Sequence, residues 1–169
     1  MAKTGESIVK NYLEGKGLRV LKIPERDIKT PDFEVFHEEE LLFYLEEKTL
    51  EPKPFKGKGI DPLYNSIAKH LYEATRQFKG INPDKNVFNV LSFTNKDPAR
   101  SVNDLFITLT GFVVTPKGKM RWIPNMKRLE KDLFLIDLYL WFDQDHLTGY
   151  IWEEVDSHQE EKIGKILGL

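Results

Sequence analysis

The sequence predicts a mixed α/β domain with a central β-sheet flanked by helices. Three observations lead there. Apolar residues recur at helical spacing near the start, in the middle and at the end of the chain. Between these stretches lie short runs rich in Val, Ile, Phe, Tyr and Leu, bounded by Pro, Gly, Asn and Asp. The composition, 40% apolar and 12% aromatic over 169 residues, suffices to build one real core and argues against a disordered chain.

In chain order, "TGESIVKNYLEGKG" (4–17) predicts a helix. Thr4 or Ser7 caps it, Ile8, Val9, Tyr12 and Leu13 share a stripe, and Gly15 and Gly17 stop it. "LRVLKI" (18–23) reads as a strand ended by Pro24. "TPDFEVF" (30–36) and "LLFYLEEKTL" (41–50) form a hairpin around the acidic turn "HEEE". A loop follows, "EPKPFKGKGIDP", holding three prolines, two glycines and three lysines. "LYNSIAKHLYEATRQFKG" (63–80) is an amphipathic helix with Leu63, Ile67, Leu71, Ala74 and Phe78 on one stripe.

"NVFNVLSFT" (86–94) predicts a strand, and so does "LFITLTGFVV" (105–114), which turns through "TPKGK" into "MRWIP" as a hairpin. "KRLEKDLFLIDLYLWFD" (127–143) is ambiguous: its first part suits a helix, whereas "LIDLYLWF" alternates like a strand. "HLTGYIWEEV" can pair with it, and "SHQEEKIGKILGL" predicts a short terminal helix. No repeat or domain boundary interrupts the chain, so a single domain over 1–169 is expected.

The absence of cysteine excludes a disulfide framework, a thiolate zinc site and a cysteine nucleophile. The N-terminal stretch lacks an apolar run of signal-peptide length, and no later segment approaches a membrane span. A cytoplasmic protein without membrane contact is the expectation. The net charge of −2 does not announce a nucleic-acid binder. Its distribution is less neutral: residues 51–128 hold fourteen Lys/Arg against six Asp/Glu, which allows one face to meet phosphates. None of the four histidines shows ligand spacing, and "DQD" (143–145) suits a turn. No P-loop, dinucleotide-binding glycine pattern or nucleophile elbow is present.

Chemistry concentrates in "PDFEVFHEEELLFYLEEK" (31–48). Side chains alternate across a strand. One face of the hairpin therefore collects Phe33, Val35, Leu41, Phe43, Leu45 and Thr49, with Glu47 as its one charge, and is the core face. The other collects Asp32, Glu34, Phe36, Leu42, Tyr44, Glu46 and Lys48. With "HEEEL" as a five-residue loop, Phe36 faces Leu42, Glu34 faces Tyr44 and Asp32 faces Glu46. Directly opposed carboxylates repel. A hard divalent cation such as Mg²⁺ neutralises such a pair while keeping waters for a substrate, and Lys48 adds an ammonium on the same face.

Pro31-Asp32, thirteen intervening residues and then Glu46-Glu47-Lys48 resemble the PD-(D/E)xK nucleases, the restriction-endonuclease-like superfamily. The order of elements is similar too: a helix carrying Glu6, a strand, the Pro-Asp strand, the E-x-K strand, a helix. The likeness covers about residues 4–80. It implies a restriction-endonuclease-like core over about 4–95, with a variable remainder at 96–169.

The resemblance also implies roles. Asp32, Glu46 and the backbone carbonyl of Glu47 would hold Mg²⁺ or Mn²⁺. Lys48 would orient or deprotonate the attacking water and steady the scissile phosphate. A first-helix glutamate reaches the metal site in similar nucleases, which brings Glu6 into the set. Lys69 and Gln77 resemble the Lys or Gln that the following helix turns toward the cleft. A related subgroup has Tyr four residues after such a Gln. Ile81 stands there in this chain, so that pattern fails.

The expected activity is metal-dependent phosphodiester hydrolysis, in DNA rather than RNA, by an endonuclease that acts as a homodimer when two strands are cut. The alternatives are a nucleic-acid-binding protein of the same fold that does not cut, or an RNA nuclease. Lys53, Lys56 and Lys58 would track a phosphate backbone beyond the site. Lys117, Lys119 and Arg121, beside Trp122, would form a second basic cluster with a ring for stacking.

Overall fold

A computed structural model of the protein describes residues 4–57, 61–122 and 133–169. The first helix, α1 (Gly5–Gly15), is capped by the Thr4 hydroxyl, which accepts from the Ser7 amide. Three antiparallel strands follow: β1 (Arg19–Lys22), β2 (Phe33–His37) and β3 (Glu40–Leu50). Helix α2 (Pro62–Ile81) starts on Asp61 as its cap, with Pro62 in the first turn. It returns the chain to β4 (Phe88–Asn95), which lies parallel to β3.

Next come α3 (Val102–Thr110) and a separate two-stranded hairpin, β5 (Phe112–Val114) with β6 (Met120–Trp122). A 3-10 turn at Leu133–Leu135 leads to β7 (Leu138–Asp143), parallel to β4. β8 (His146–Trp152) closes the sheet antiparallel, and α4 (Ser157–Leu167) follows. The six-stranded mixed sheet has the order β1-β2-β3-β4-β7-β8, with helices against both faces. The architecture is mixed α/β, as the residue pattern implies.

Alternation along the central strands divides the core in two. Phe33, Val35, Phe43, Leu45, Val90, Leu138, Leu140 and Phe142 pack against α1 and α4. Leu50, Leu91, Phe93, Tyr139 and Trp141 pack against α2 and Leu105 of α3. β4 and β7 are buried on both faces, as expected for parallel strands covered by helices on either side. Among the described residues, no helix is long and apolar enough to cross a membrane.

Two expectations are corrected. Residues 105–110 are helix rather than strand. Ser101 and Asp104 form a reciprocal capping box, Leu105 and Thr108 bury one side, and Gly111 closes the helix at a φ of 71°. These end signals outweigh the β-leaning composition of "LFITLT". The tip of the first hairpin also differs. The turn is the two-residue Glu38-Glu39, with Glu38 at a φ of 55°, and a bulge follows Val35. Phe36 therefore pairs with Leu41 rather than Leu42, and Leu42 is buried in the core. Below the bulge the expected register stands, with Glu34 opposite Tyr44. Ile123, Pro124 and the 127–132 part of the ambiguous stretch lie outside the described residues.

Candidate active site

Asp32 is the residue just before β2, held where the β1–β2 segment ends. Its carbonyl accepts from the Ile23 amide at 2.9 Å, closing that segment at its base. One carboxylate oxygen, Oδ2, accepts from the Glu47 backbone amide at 2.9 Å. The other, Oδ1, accepts from Lys22 Nζ at 2.8 Å. Phe33 pairs with Leu45, so the same ladder carries Asp32 alongside Glu46, as the hairpin register requires.

Glu46 and Lys48 project from β3 toward α2. Glu46 is only 2% exposed. Its Oε1 lies 2.7 Å from Lys48 Nζ, while its Oε2 is buried with no hydrogen-bond partner among the described residues. Burial, reinforced by the negative charge of Asp32, pushes the Glu46 carboxyl up to about 8 against the opposing pull of Lys48 and of the Gln77 side chain beside it. Lys48 is shared with Glu73 of α2, whose Oε2 is 3.7 Å away.

Glu6, in the first turn of α1, reaches the same place through Lys22. The Lys22 ammonium lies 2.8 Å from Glu6 Oε2 and 2.8 Å from Asp32 Oδ1. Partial burial pulls the Lys22 pKa down, but hydrogen bonds and charge from Asp32 and Glu6 prevail and hold it above the usual lysine value. Gln77 of α2 donates from Nε2 to the Thr30 carbonyl at 3.3 Å, two residues before Asp32. Its Oε1 is buried without a partner among the described residues.

Glu6, Asp32, Lys48 and Gln77 thus line one cleft of about 330 Å³, with Lys22 and Glu73 between them. A second cleft of about 440 Å³ lies beyond the end of β3, lined by Thr49, Lys53, Ser66, Lys69 and His70 among others. Lys69 Nζ is 3.8 Å from Glu73 Oε1. His70 Nδ1 is 3.5 Å from Glu73 Oε2. Burial and then the charge of Lys48 lower the His70 pKa against the opposing pull of Glu73.

The side chain of Glu47 points to the opposite face, as alternation implies. There it accepts from Thr49 Oγ1 at 3.0 Å beneath α1. Gly5 makes this possible, because a Cβ at that position would collide with the Glu47 carboxylate and the Thr49 hydroxyl. Burial raises the Glu47 pKa, with the charges of Asp32 and Glu6 adding to it. Its main-chain amide donates to Asp32 Oδ2 at 2.9 Å.

The basic residues named from the sequence divide among three places. Lys53 and Lys69 line the second cleft. Lys56 is exposed on the loop after β3, and Lys58 lies outside the described residues. Lys117 lies in the β5–β6 turn, with Lys119 and Arg121 exposed beside it. None of these three lines either cleft.

Helical spacing sets Glu73 on the same edge of α2 as Lys69 and Gln77, whereas sequence reasoning gave no site role to Lys22, His70, Arg26 or Lys29. Pairing of Lys22 with Phe33 sets it beside Asp32, but nothing local to "LRVLKI" marks it.

Among the described residues, no group of three or more His, Asp or Glu side chains forms a ready-made metal cage. The donors at Asp32 and Glu46 nevertheless fit a hard cation that keeps much of its own water. They are oxygens, and Glu46 Oε2 is a buried acceptor that no described residue satisfies. No family model, curated protein or solved structure matches this chain.

Proposed function

We propose that the protein is a nuclease of the PD-(D/E)xK, restriction-endonuclease-like type that hydrolyses phosphodiester bonds, in DNA before RNA. One observation carries the reading. Asp32, Lys48, Glu6 and Gln77, separated by up to seventy-one residues in sequence, line a single open cleft above the buried, half-satisfied carboxyl of Glu46. Asp32, Glu46 and the carbonyl of Glu47 would hold Mg²⁺ or Mn²⁺. When bound, such an ion supplies polarisation of the phosphoryl oxygens and a lowered pKa for water.

The chain's own groups account for the rest. Lys48 lies on the cleft wall, where its ammonium holds the attacking water and stabilises charge developing on the phosphate. The water oxygen forms the new P–O bond and the ester P–O bond breaks. A phosphate monoester and a free hydroxyl result, with the water proton passing to the departing oxygen by way of solvent. Glu73 and Glu46 flank Lys48 and restrict its rotamers. Gln77 secures the backbone two residues before Asp32.

Lys22 favours a second reading. It already neutralises Glu6 and Asp32, as a protein that binds nucleic acid without cutting would permit. Single-stranded, duplex and branched DNA and RNA, each assayed for binding and for cleavage with Mg²⁺ and with Mn²⁺, separate the two readings. Lys48→Ala and Asp32→Ala are expected to lower the cleavage rate by about 100-fold or more while leaving the unfolding transition cooperative. Equal cleavage by wild type and Asp32→Ala removes this site. Binding without cleavage under every metal selects the second reading.

A further inference from the structure

The β5–β6 ribbon lines neither cleft and presents a surface of its own. Gly111, at a φ of 71°, turns the chain out of α3, and β5 begins at once. Phe112 pairs with Trp122, Val113 with Arg121 and Val114 with Met120. Directly opposed residues share a face. One face therefore carries Phe112, Val114, Met120 and Trp122, and the other carries Val113 and Arg121. The four apolar side chains are between 38% and 72% exposed, and neither core includes them. The Phe112 and Trp122 rings touch, with centroids 4.2 Å apart.

Charge on the ribbon has one sign. Residues 105–122 contain Lys117, Lys119 and Arg121 and no Asp or Glu. Among the described residues, none of these cations makes an ion pair, a hydrogen bond through its side chain or a ring contact. The turn that carries the two lysines is held by its own hydrogen bonds. The Thr115 amide donates to the Lys119 carbonyl at 2.9 Å, and the Gly118 amide to the Thr115 carbonyl at 2.8 Å. The Lys119 amide donates to Thr115 Oγ1 at 3.2 Å.

Unpaired cations of one sign call for an anionic partner. A second copy of the ribbon carries the same charges and is repelled. A bilayer takes a hairpin by an apolar tip, whereas this tip is Thr-Pro-Lys-Gly-Lys and the apolar groups lie along the stem. A duplex hides the faces of its bases in its own stack. A single strand exposes them, and rings flanked by cations are the platform on which such bases stack. We propose that the β5–β6 ribbon binds unpaired nucleic acid, with bases stacked on Trp122 and Phe112 and phosphates held by Lys117 and Lys119. Arg121 adds to the field from the reverse face. The ribbon rests on the nucleic-acid reading above but on neither metal nor cleavage, and it assigns that reading a substrate with single-stranded segments.

The test is fluorescence anisotropy in EDTA across a salt series, with a labelled oligothymidylate and a labelled duplex of equal length. Wild type should bind the single strand about 10-fold more tightly than the duplex. Trp122→Ala should weaken single-strand binding by about 10-fold, the loss of one stacked base, and keep the slope of log K against log salt. Trp122→Phe retains a ring and should restore most of the affinity. Lys117→Ala/Lys119→Ala should flatten the slope by about 0.7 for each phosphate no longer neutralised. Lys10→Ala/Lys165→Ala removes the same charge from α1 and α4 and should keep the wild-type slope.

Single-strand binding by Trp122→Ala that equals wild type overturns the ribbon even if the wild type cuts DNA. Tighter binding of the duplex overturns it too, and so does equal flattening in the control pair, which net charge alone explains. Wild type that leaves the oligothymidylate unbound also overturns it, and sedimentation with phosphatidylserine vesicles would then mark the face as a membrane contact. Wild type that binds the strand through Trp122 but never cleaves supports the ribbon and removes the nuclease.

Discussion

Two polar clusters are built into the same sheet, and they are finished differently. One lies at the start of β4 and β7. Asp137 there is 1% exposed, yet both its oxygens are occupied, by Lys85 Nζ at 2.6 Å and by the Asn89 amide at 2.9 Å. The Asn89 side chain accepts from Asn82 Nδ2 and donates to the Leu135 carbonyl. Asn82 in turn accepts from the Asn86 amide, and Lys85 also donates to the Phe134 carbonyl.

The other cluster is the cleft. There Glu46 Oε2 and Gln77 Oε1 are buried without a well-formed hydrogen bond among the described residues, and the charge of Asp32 makes ionising Glu46 costlier. A closed network orders loops and specifies the fold. An open one spends stability on groups left ready for something else, which is the usual mark of a site.

Breaking the closed cluster should have the largest effect on stability. Asp137→Ala leaves the Asn89 amide without its acceptor and Lys85 with the Phe134 carbonyl alone, and about 3–5 kcal/mol should disappear in urea unfolding. A drop under about 1 kcal/mol would show that the cluster is no more structural than the cleft.

The open cluster should behave in the opposite sense. Glu46 ionises near 8 in the fold against an ordinary 4.5, so between these values the folded chain keeps a proton that the unfolded chain has released. Stability therefore falls as pH rises through that window, by up to roughly 1.4 kcal/mol per pH unit, and levels off above it. Glu46→Gln cannot ionise and should flatten this slope, gaining stability on the alkaline side in metal-free buffer. A steeper or unchanged pH profile would mean that Glu46 is not the strained group.

The smallest effect calibrates both. Ser101→Ala removes the cap of α3, which belongs to neither cluster, and should cost about 1 kcal/mol by the same measurement. An Asp137 variant no worse than this one would erase the contrast.

How far the sequence reaches differs from element to element. Strand alternation alone puts Glu46 and Lys48 on one face of β3 and Glu47 on the other. The Glu34–Tyr44 pairing follows from the hairpin. The hairpin tip does not, because a bulge after Val35 depends on how a two-residue turn is accommodated, and alternation is blind to an inserted residue. Helix α3 misleads in the other direction. Its β-branched, apolar run hides end signals at Ser101, Asp104 and Gly111 that are legible in the sequence and outweigh that composition in the fold.

What the sequence by itself determined is therefore local: the helices α1, α2 and α4, the faces of β3 from Phe43 onward, and the spacing that brings Asp32 alongside Glu46. These follow from periodicity and from a hairpin whose partners are close along the chain. Only the tertiary structure decided who neutralises whom. Lys22 joins Glu6 to Asp32 because β1 pairs with β2, and Glu73 reaches Lys48 because α2 crosses the sheet after β3. Arg26 and Lys29 line the cleft because their segment is braced on Gly80 and Gln77, about fifty residues downstream. Such contacts join residues with no shared period, so their energies are set by the packing of distant elements and leave no trace in either segment alone.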